Sequence, residues 1–199
     1  AGGEARGVIV NAGNANAFTG KAGAAACEAL VTSVADVLTC RPSRVFAAST
    51  GVIGQVLPAA RLEPCIAVMA ETLSADCWAD AARAILTTDT FPKGATRRVA
   101  IKDTTVRING IAKGSGMIAP DMATMLAFIG TDAKLPAPVL QACLSAAVEK
   151  SFNRSTVDSD TSTSDSVFAF ATGAAANPDV TGTDDPALEA FKAALDDVC

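Results

Sequence analysis

Hydrophobic positions in the first half of the chain alternate between short apolar runs and stretches with a helical period. Residues 7–10 form a compact apolar run, which predicts a short buried strand. From residue 21 to residue 38 apolar side chains recur with a helical spacing, which predicts an amphipathic helix with Thr19 as its N-terminal cap. The other elements predicted here are a loop at 11–20, a strand at 44–48, a helix at 59–74 with Leu62, Ile66, Met69 and Leu73 on one face, and a helix at 75–86.

In the second half the pattern changes first to a period of two. Residues 96–102 and 105–109 alternate apolar and polar side chains and are predicted to form a hairpin that turns at Asp103 and Thr104. Because hairpin and β-α pieces are mixed along the chain, the predicted fold class is a layered α/β (α+β) arrangement, one domain over residues 1–199. The remaining predicted elements are a buried strand at 124–129, a helix at 136–150, a strand at 167–172 and a helix at 186–198.

Composition narrows the functional classes. Asp and Glu outnumber Lys and Arg by 21 to 16, and a chain with a net charge of −5 is a poor candidate for nucleic-acid binding. With no histidine and no tyrosine, the chain alone can build neither a Ser-His-Asp site nor a His-containing zinc site. Acid–base work therefore falls to carboxylates, lysine, cysteine or an α-amine. The six cysteines form no C-x-x-C pair, so no metal site and no redox motif is predicted.

The termini and the apolar runs give an expectation for the compartment. The first residues lack the basic-then-apolar order of a signal peptide. No apolar run approaches the about 20 residues that a membrane-spanning helix needs. The sequence therefore predicts a cytoplasmic protein without a membrane partner.

One segment carries most of the chemical information. It reads Lys-Gly-Ser-Gly-Met-Ile-Ala-Pro-Asp-Met-Ala-Thr-Met-Leu over residues 113–126, so a lysine, a glycine-rich turn and a proline precede Ala123 and Thr124. A threonine hydroxyl is a poor nucleophile and needs a nearby base. Cleavage of the chain before the threonine supplies that base, because the new α-amine belongs to the same residue. The bond between Ala123 and Thr124 is therefore the candidate cleavage site.

Two other motifs invite different interpretations. Residues 114–119 match the dinucleotide pattern G-x-G-x-x-A, but Pro120 intervenes where a helix must follow, so nucleotide binding is not favoured. Asp158 and Asp160 suggest a metal or phosphatase site. Thr163 stands where an EF-hand needs glycine, and no apolar strand precedes Asp158. A loop held by its own hydrogen bonds is the preferred interpretation.

Small polar residues mark two further candidate positions. Thr50 and Gly51 directly follow a predicted strand, where a backbone N–H and a hydroxyl can together form an oxyanion hole. Residues 87–90 read Thr-Thr-Asp-Thr between a helix and the hairpin. These residue types are typical of a site that holds a polar substrate, and they are equally typical of the turn that ends a helix.

Five motifs follow one another along the chain, at residues 11–16, 49–54, 87–90, 113–126 and 156–163. Together and in this order they resemble the ornithine acetyltransferase family, the glutamate N-acetyltransferases of arginine biosynthesis. The resemblance covers nearly the whole chain, and the 113–126 motif is the specific one. It implies a layered α/β sandwich of the self-processing N-terminal-nucleophile type.

The resemblance also implies a role for individual residues. A precursor cleaves itself between Ala123 and Thr124, and Thr124 then acts as the N-terminal nucleophile. Its hydroxyl accepts the acetyl group of N-acetylornithine and passes it to glutamate. The other positions that match the family are Thr50 and Gly51 in the oxyanion hole, and Thr90 and Lys113, with Thr124, in substrate binding.

Partners and cofactors follow from the same resemblance. The α-chain part, residues 1–123, and the β-chain part, residues 124–199, stay together and assemble into a heterotetramer. No cofactor and no metal is implied, although some members accept acetyl-CoA as a further donor substrate.

Some features depart from the family pattern. Ser155 stands where an aliphatic residue is usual, and Ser159 and Ser164 stand where glycine and asparagine are usual. The chain opens at what resembles an internal strand and stops before the family's end, so an internal fragment is expected. Two alternatives stay open: a self-processing N-terminal-threonine aminopeptidase or amidohydrolase that gives the acyl group to water, and a structural fragment without activity.

Overall fold

The computed structural model describes residues 2–116, 125–158, 160 and 162–199. The chain forms two compact units, Ala1–Thr87 and Thr88–Cys199. Each unit has its own sheet and its own hydrophobic core. That residues 1–199 act as a single domain stays a prediction, and the predicted strand start at residue 124 lies outside the described residues.

The first unit is built around a pair of parallel strands. β1 (Gly7–Asn14) pairs with β2 (Val45–Val52), with Gly7 opposite Val45 and Gly13 opposite Gly51. Parallel strands need a crossover connection, which α1 (Gly20–Val37) supplies. The unit also contains α2 (Ala59–Glu71), which packs against α1, and α3 (Trp78–Ala84).

The core of this unit lies between α1, α2 and the strand pair. Leu30 and Val34 of α1 are 2% and 6% exposed and pack in one cluster with Ile66 of α2. Met69 and Leu73, which were predicted on the same face as Ile66, are 44% and 76% exposed, so only part of that face is packed. α2 ends at Glu71, and its buried residue is Ile66, so the predicted apolar face continues past the part of the helix that is packed.

The second unit contains a four-stranded mixed sheet with the strand order β3-β4-β5-β6. The first three strands pair antiparallel, and β5 and β6 run parallel. α4 supplies the crossover that this parallel pair requires. The elements are β3 (Lys93–Ile101), β4 (Thr104–Lys113), β5 (Leu126–Thr131), α4 (Ala137–Lys150), β6 (Ser166–Ala171) and α5 (Glu189–Val198).

Both helices of this unit cover one face of the sheet. Ile108 and Ile129 point to that face and join a single core with residues of α4 and α5. Phe191 and Leu195 of α5 are 0% and 1% exposed, so this helix buries its apolar side completely. Burial of apolar surface stabilises the folded state by roughly 25 cal/mol per Å². The contact with α4 and α5 therefore holds the sheet in place.

The opposite face of the same sheet carries aromatic rings. Phe128 and Phe168 lie opposite each other on β5 and β6, and their rings stack with centroids 5.5 Å apart. Side chains alternate between the faces of a sheet, so Leu126 shares the face of Phe128. Lys113 is the register partner of Leu126 and also lies on the aromatic face, at the end of β4.

Most predicted helices and strands are confirmed with shifted ends. Thr19 occupies the N-cap position of α1, as predicted, but its side chain makes no capping hydrogen bond, because its hydroxyl donates to the carbonyl oxygen of Asn16 at 3.0 Å. The hairpin turns one residue earlier than predicted, since Ile101 is opposite Thr104 and Lys102 adopts a left-handed φ of 53°. The loop predicted at 11–20 is shorter, because β1 extends to Asn14.

Candidate active site

The carboxyl ends of β1 and β2 bring the asparagine-rich segment beside Thr50 and Gly51. Thr50 is 0% exposed and lies opposite Ala12. Gly51 has φ +128°, and a Cβ atom at this position would lie 2.7 Å from the backbone nitrogen of Asn14. Both the backbone conformation and the close approach of the two chains require glycine here. Thr50 and Gly51, the predicted oxyanion-hole residues, therefore lie near the end of β2, whereas the sequence analysis predicted that they follow the strand.

Asparagine side chains fix this strand end by binding backbone groups. The amide nitrogen of Asn14 donates to the carbonyl oxygen of Gln55 at 2.9 Å, so the chain after β2 is tied to the end of β1. Asn16 donates to the carbonyl oxygen of Gly23 at 3.0 Å and accepts from the N–H of Leu57 at 3.3 Å. These bonds tie the end of β1 and the residue after it to residues 55–57 and to α1, which gives the asparagines a structural role.

A substitution of Gly51 tests this close approach. Gly51→Ala is expected to lower the free energy of unfolding by about 3 kcal/mol, because it adds backbone strain and a clash with Asn14. Gly54→Ala is the matched control, since Gly54 also has a positive φ, +85°, but no atom lies within 4 Å of an added Cβ. The control is expected to cost only about 1 kcal/mol in urea unfolding. Equal losses in the two variants would contradict the proposed steric role of Gly51.

Lys113 lies in a buried cluster of charges in the second unit. Its side chain is 1% exposed, and its Nζ atom is 3.9 Å from Oδ2 of Asp89, whose side chain is 0% exposed. Asp89 Oδ1 accepts hydrogen bonds from Lys93 Nζ at 2.6 Å and from the N–H of Gly114 at 2.7 Å. The carboxylate of Asp89 therefore joins the residues just before β3 to the residues just after β4.

The predicted substrate-binding residues in this unit differ in their surroundings. Lys113 is fully buried beside Asp89, whereas Thr90 is exposed. The sequence analysis named Thr90 and missed Asp89, although the carboxylate stands in the middle of the same Thr-Thr-Asp-Thr motif. A carboxylate among small polar residues close to a lysine-containing strand was the available signal.

Burial and neighbouring charges shift the pKa values of both Asp89 and Lys113. Burial alone would raise the pKa of Asp89, but the bonds from Lys93 and Gly114 and the charges of Lys93 and Lys113 hold its pKa below the usual range. Burial lowers the pKa of Lys113, and the charge of Asp89 opposes that shift. The result is a buried lysine amino group beside a buried carboxylate, at the end of β4.

The pH dependence of stability tests the bond between Lys93 and Asp89. A depressed pKa of Asp89 stabilises the fold above its unfolded value of about 3.9, and this stabilisation is lost as the pH falls through the folded pKa. Lys93→Met is therefore expected to cost about 1 kcal/mol at neutral pH, and the difference from wild type should shrink below about pH 4.

The ion pair between Lys134 and Asp179 provides the control for this prediction. Its atoms are also 2.6 Å apart, but the side chains are 55% and 82% exposed. Solvent screens such a pair, so Lys134→Met is expected to change stability less than Lys93→Met in the same urea titrations. A Lys93→Met effect that grows on acidification would contradict the assignment to Asp89.

Asp165 is a second carboxylate that the sequence analysis missed, and its side chain is half-buried. Its Oδ1 atom accepts a hydrogen bond from the N–H of Met125 at 2.9 Å. Its Oδ2 atom is buried and accepts no hydrogen bond from the described residues. Burial raises the pKa of Asp165, while hydrogen bonds from Met125 and Ser162 and the charge of Lys113 oppose that rise. Ala123 and Thr124, the predicted cleavage site and nucleophile, lie outside the described residues.

The competing motifs receive little support from the described residues. Asp158 Oδ1 accepts from the N–H of Asp160, and Ser162 Oγ accepts from the N–H of Ser164, as a self-bonded loop requires. No group of three or more Cys, Asp or Glu side chains that could hold a metal occurs in the described part of the chain. None of the described helices is both long and apolar enough to cross a membrane.

Known proteins match the chain over its whole length. The arginine biosynthesis bifunctional protein ArgJ of Gluconobacter oxydans is 58% identical over 194 residues, which are 98% of this chain and 46% of that protein. ArgJ of Rhizobium meliloti is 54% identical over 200 residues, 99% of this chain and 48% of that protein. The chain thus spans about half the length of the curated relatives that it matches.

A solved structure supports the same relationship. The crystal structure of ArgJ from Bacillus halodurans is 37% identical and aligns with a TM-score of 0.53 over 58% of this chain and 61% of that chain. This match confirms the predicted α/β fold class. The ArgJ family model matches residues 1–199. The family model over residues 1–199 and relatives that are 54% to 58% identical over nearly all of the chain agree with the order of the five motifs, and the chain belongs to the ArgJ family.

Proposed function

We propose that the chain acts in arginine biosynthesis as a self-cleaving acetyltransferase that moves an acetyl group from N-acetylornithine to glutamate. The observation that carries this proposal is the family match over residues 1–199, with relatives that are named arginine biosynthesis bifunctional proteins. The 113–126 motif, which contains Ala123 and Thr124, supports the chemistry. The buried pair of Lys113 and Asp89 supports a charged site for amino-acid substrates.

The first half of the proposed reaction forms an ester. After cleavage, the Thr124 hydroxyl attacks the acetyl carbonyl of N-acetylornithine, and the α-amine of Thr124 takes the hydroxyl proton. Thr50 and Gly51 donate hydrogen bonds to the oxyanion of the tetrahedral intermediate. The C–N bond breaks, the proton passes to the departing nitrogen, and free ornithine leaves. An acetyl ester on Thr124 remains.

The second half reverses these steps with a different amine. The amine of glutamate attacks the ester carbonyl, its proton returns to Thr124, and N-acetylglutamate leaves. Because the enzyme holds the acetyl group between the two substrates, ping-pong kinetics are expected. Direct transfer through threonine needs no cofactor. Acetyl-CoA enters this scheme only as a possible second donor substrate.

Lys113 is the proposed binding group for the carboxylate that both substrates share. A buried ammonium group attracts a carboxylate more strongly than an exposed one, because little water screens the pair. The charge of Asp89 opposes the lowering of the Lys113 pKa by burial and so favours the charged form of Lys113. Thr90 is proposed to contribute a hydroxyl to the same substrate from an exposed position.

The proposed assembly follows the cleavage. The parts 1–123 and 124–199 stay associated after the bond breaks, and two such pairs form a heterotetramer. Strand pairing supports this association, since β5 follows the cleavage site and bonds along its length to β4, which precedes it.

An acceptor assay tests the proposed function. The full-length protein is incubated with N-acetylornithine, and ornithine release is measured with and without glutamate. The proposal predicts fast release only when glutamate is present, together with equimolar N-acetylglutamate. Equal release in the absence of glutamate would instead indicate an aminopeptidase or amidohydrolase that gives the acetyl group to water.

A further inference from the structure

We propose that Asp165 is a positioning residue for the Thr124 nucleophile, holding the peptide N–H of Met125, which is bonded directly to the carbonyl carbon of Thr124. This inference rests on the proposed function, because it assumes that Thr124 performs the cleavage and the transfer. No motif used in the sequence analysis assigns Asp165 a role. The geometry around Met125 carries the proposal.

Both polar backbone groups of Met125 form hydrogen bonds. Its N–H donates to Asp165 Oδ1 at 2.9 Å, and its carbonyl oxygen accepts from the N–H of Ser166 at 2.9 Å. Ser166 is the first residue of β6 and Asp165 immediately precedes it, so the residue that follows Thr124 has a fixed place against the start of that strand. The N–H belongs to the peptide unit that joins Thr124 to Met125, and the carbonyl oxygen belongs to the next unit. Asp165 is therefore the residue that holds the peptide unit next to Thr124, and the two bonded atoms lie at an ordinary hydrogen-bond distance.

The register of the sheet places Met125 and Asp165 at the same end of the sheet as Lys113. Lys113 lies opposite Leu126 on β4 and β5, and Leu126 lies opposite Ser166 on β5 and β6. Met125 and Asp165 are the residues immediately before Leu126 and Ser166, at the same end of the sheet. The charge of Lys113 opposes the rise in the pKa of Asp165 that burial causes.

Placing a carboxylate in a partly buried position costs more free energy than a hydrogen bond that only fixes the end of a strand needs. Asp165 is half-buried, its Oδ2 atom is fully buried without a hydrogen bond from the described residues, and such an atom costs free energy. Asp132 makes a bond of the same kind at the other end of β5, to the N–H of Arg107 at 2.6 Å, and that bond is exposed, whereas the bond from Met125 to Asp165 is partly buried. The partly buried bond of Asp165 is explained if the position of residue 125 matters for chemistry as well as for stability.

The test compares Asp165→Ala, Asp165→Asn and Asp132→Ala in the full-length protein. Asn keeps a side-chain oxygen that accepts the Met125 N–H, whereas Ala does not. The readouts are the rate at which a fragment beginning with Thr124 forms, measured by intact mass, the kcat and KM of acetyl transfer, and the melting temperature. Asp132→Ala controls for the loss of a carboxylate-to-backbone bond on the same strand.

Asp165→Ala is expected to slow cleavage and to lower kcat by about 100-fold, with KM changed by less than about threefold. Asp165→Asn is expected to stay within about tenfold of wild type, and Asp132→Ala is expected to cleave at the wild-type rate. If Asp165→Ala does not melt cooperatively, Asp165→Asn decides, because a folded Asn variant that is about 100-fold slow overturns the proposal.

Two further results separate the possible failures. Asp165→Ala that cleaves within about threefold of wild type, or Asp132→Ala that is slowed equally, overturns the role of Asp165 and leaves the proposed function intact. A folded wild-type protein that is never cut overturns the proposed function itself.

Discussion

Thr124→Ala in the full-length protein should leave the bond between residues 123 and 124 intact and reduce acetyl transfer by about 10⁴-fold or more. Alanine lacks the hydroxyl that attacks the substrate, and without cleavage the α-amine that acts as its base is never released. Intact mass spectrometry and the ornithine-release assay measure the two effects. Thr124→Ser keeps a hydroxyl and is expected to be cut.

The control for this prediction is a threonine elsewhere in the chain. Thr72 is exposed at the end of α2, and its hydroxyl donates to the carbonyl oxygen of Val68 at 3.0 Å. Thr72→Ala is expected to be cut and to transfer acetyl groups as wild type does. A Thr124→Ala protein that still yields two chains, or that still transfers acetyl groups, would contradict the assignment of the nucleophile.

Asp89→Asn is the second change with a large expected effect. It keeps the shape of the side chain but leaves the ammonium group of Lys113 buried without its carboxylate. Removing one partner of a buried pair typically costs about 3 kcal/mol of unfolding free energy. Urea unfolding at neutral pH measures the loss. Asp80→Asn, in a pair with Arg83 whose side chains are 78% and 63% exposed, should change stability little.

A double variant separates the charge effect from other losses. Adding Lys113→Met to Asp89→Asn also removes the buried amino group that faced Asp89, and it places an apolar chain of similar length in the same space. The double variant is therefore expected to be more stable than Asp89→Asn alone. If the two losses simply added, the buried pair between Asp89 and Lys113 would not be the reason for the instability.

The helical spacing of apolar residues predicted a helix correctly where the apolar face of that helix is packed. α1 was predicted at 21–38 and is found at Gly20–Val37, because Leu30 and Val34 repeat along the face that enters the core. The same spacing also included Leu73, whose side chain is exposed, since periodicity does not show where a packed partner ends. β1 was predicted too short, because Asn11–Asn14 pairs through its backbone, which polar side chains do not disclose.

The candidate site was predictable in part. The motifs indicated Lys113, Thr50 and Gly51, but their surroundings depend on residues distant in the chain. Asp89 lies 24 positions before Lys113, and only the pairing of β3 with β4 brings them together. Asp165 reaches Met125 across the parallel pair of β5 and β6, a register that no local pattern specifies.

The most direct test of the account is the intact mass of the wild-type full-length protein, purified without denaturation. The account predicts two chains, the second of which begins with Thr124, and a single species on gel filtration that contains both. One uncut chain that is folded and transfers acetyl groups from N-acetylornithine to glutamate would contradict it, because Thr124 would then act without a free α-amine.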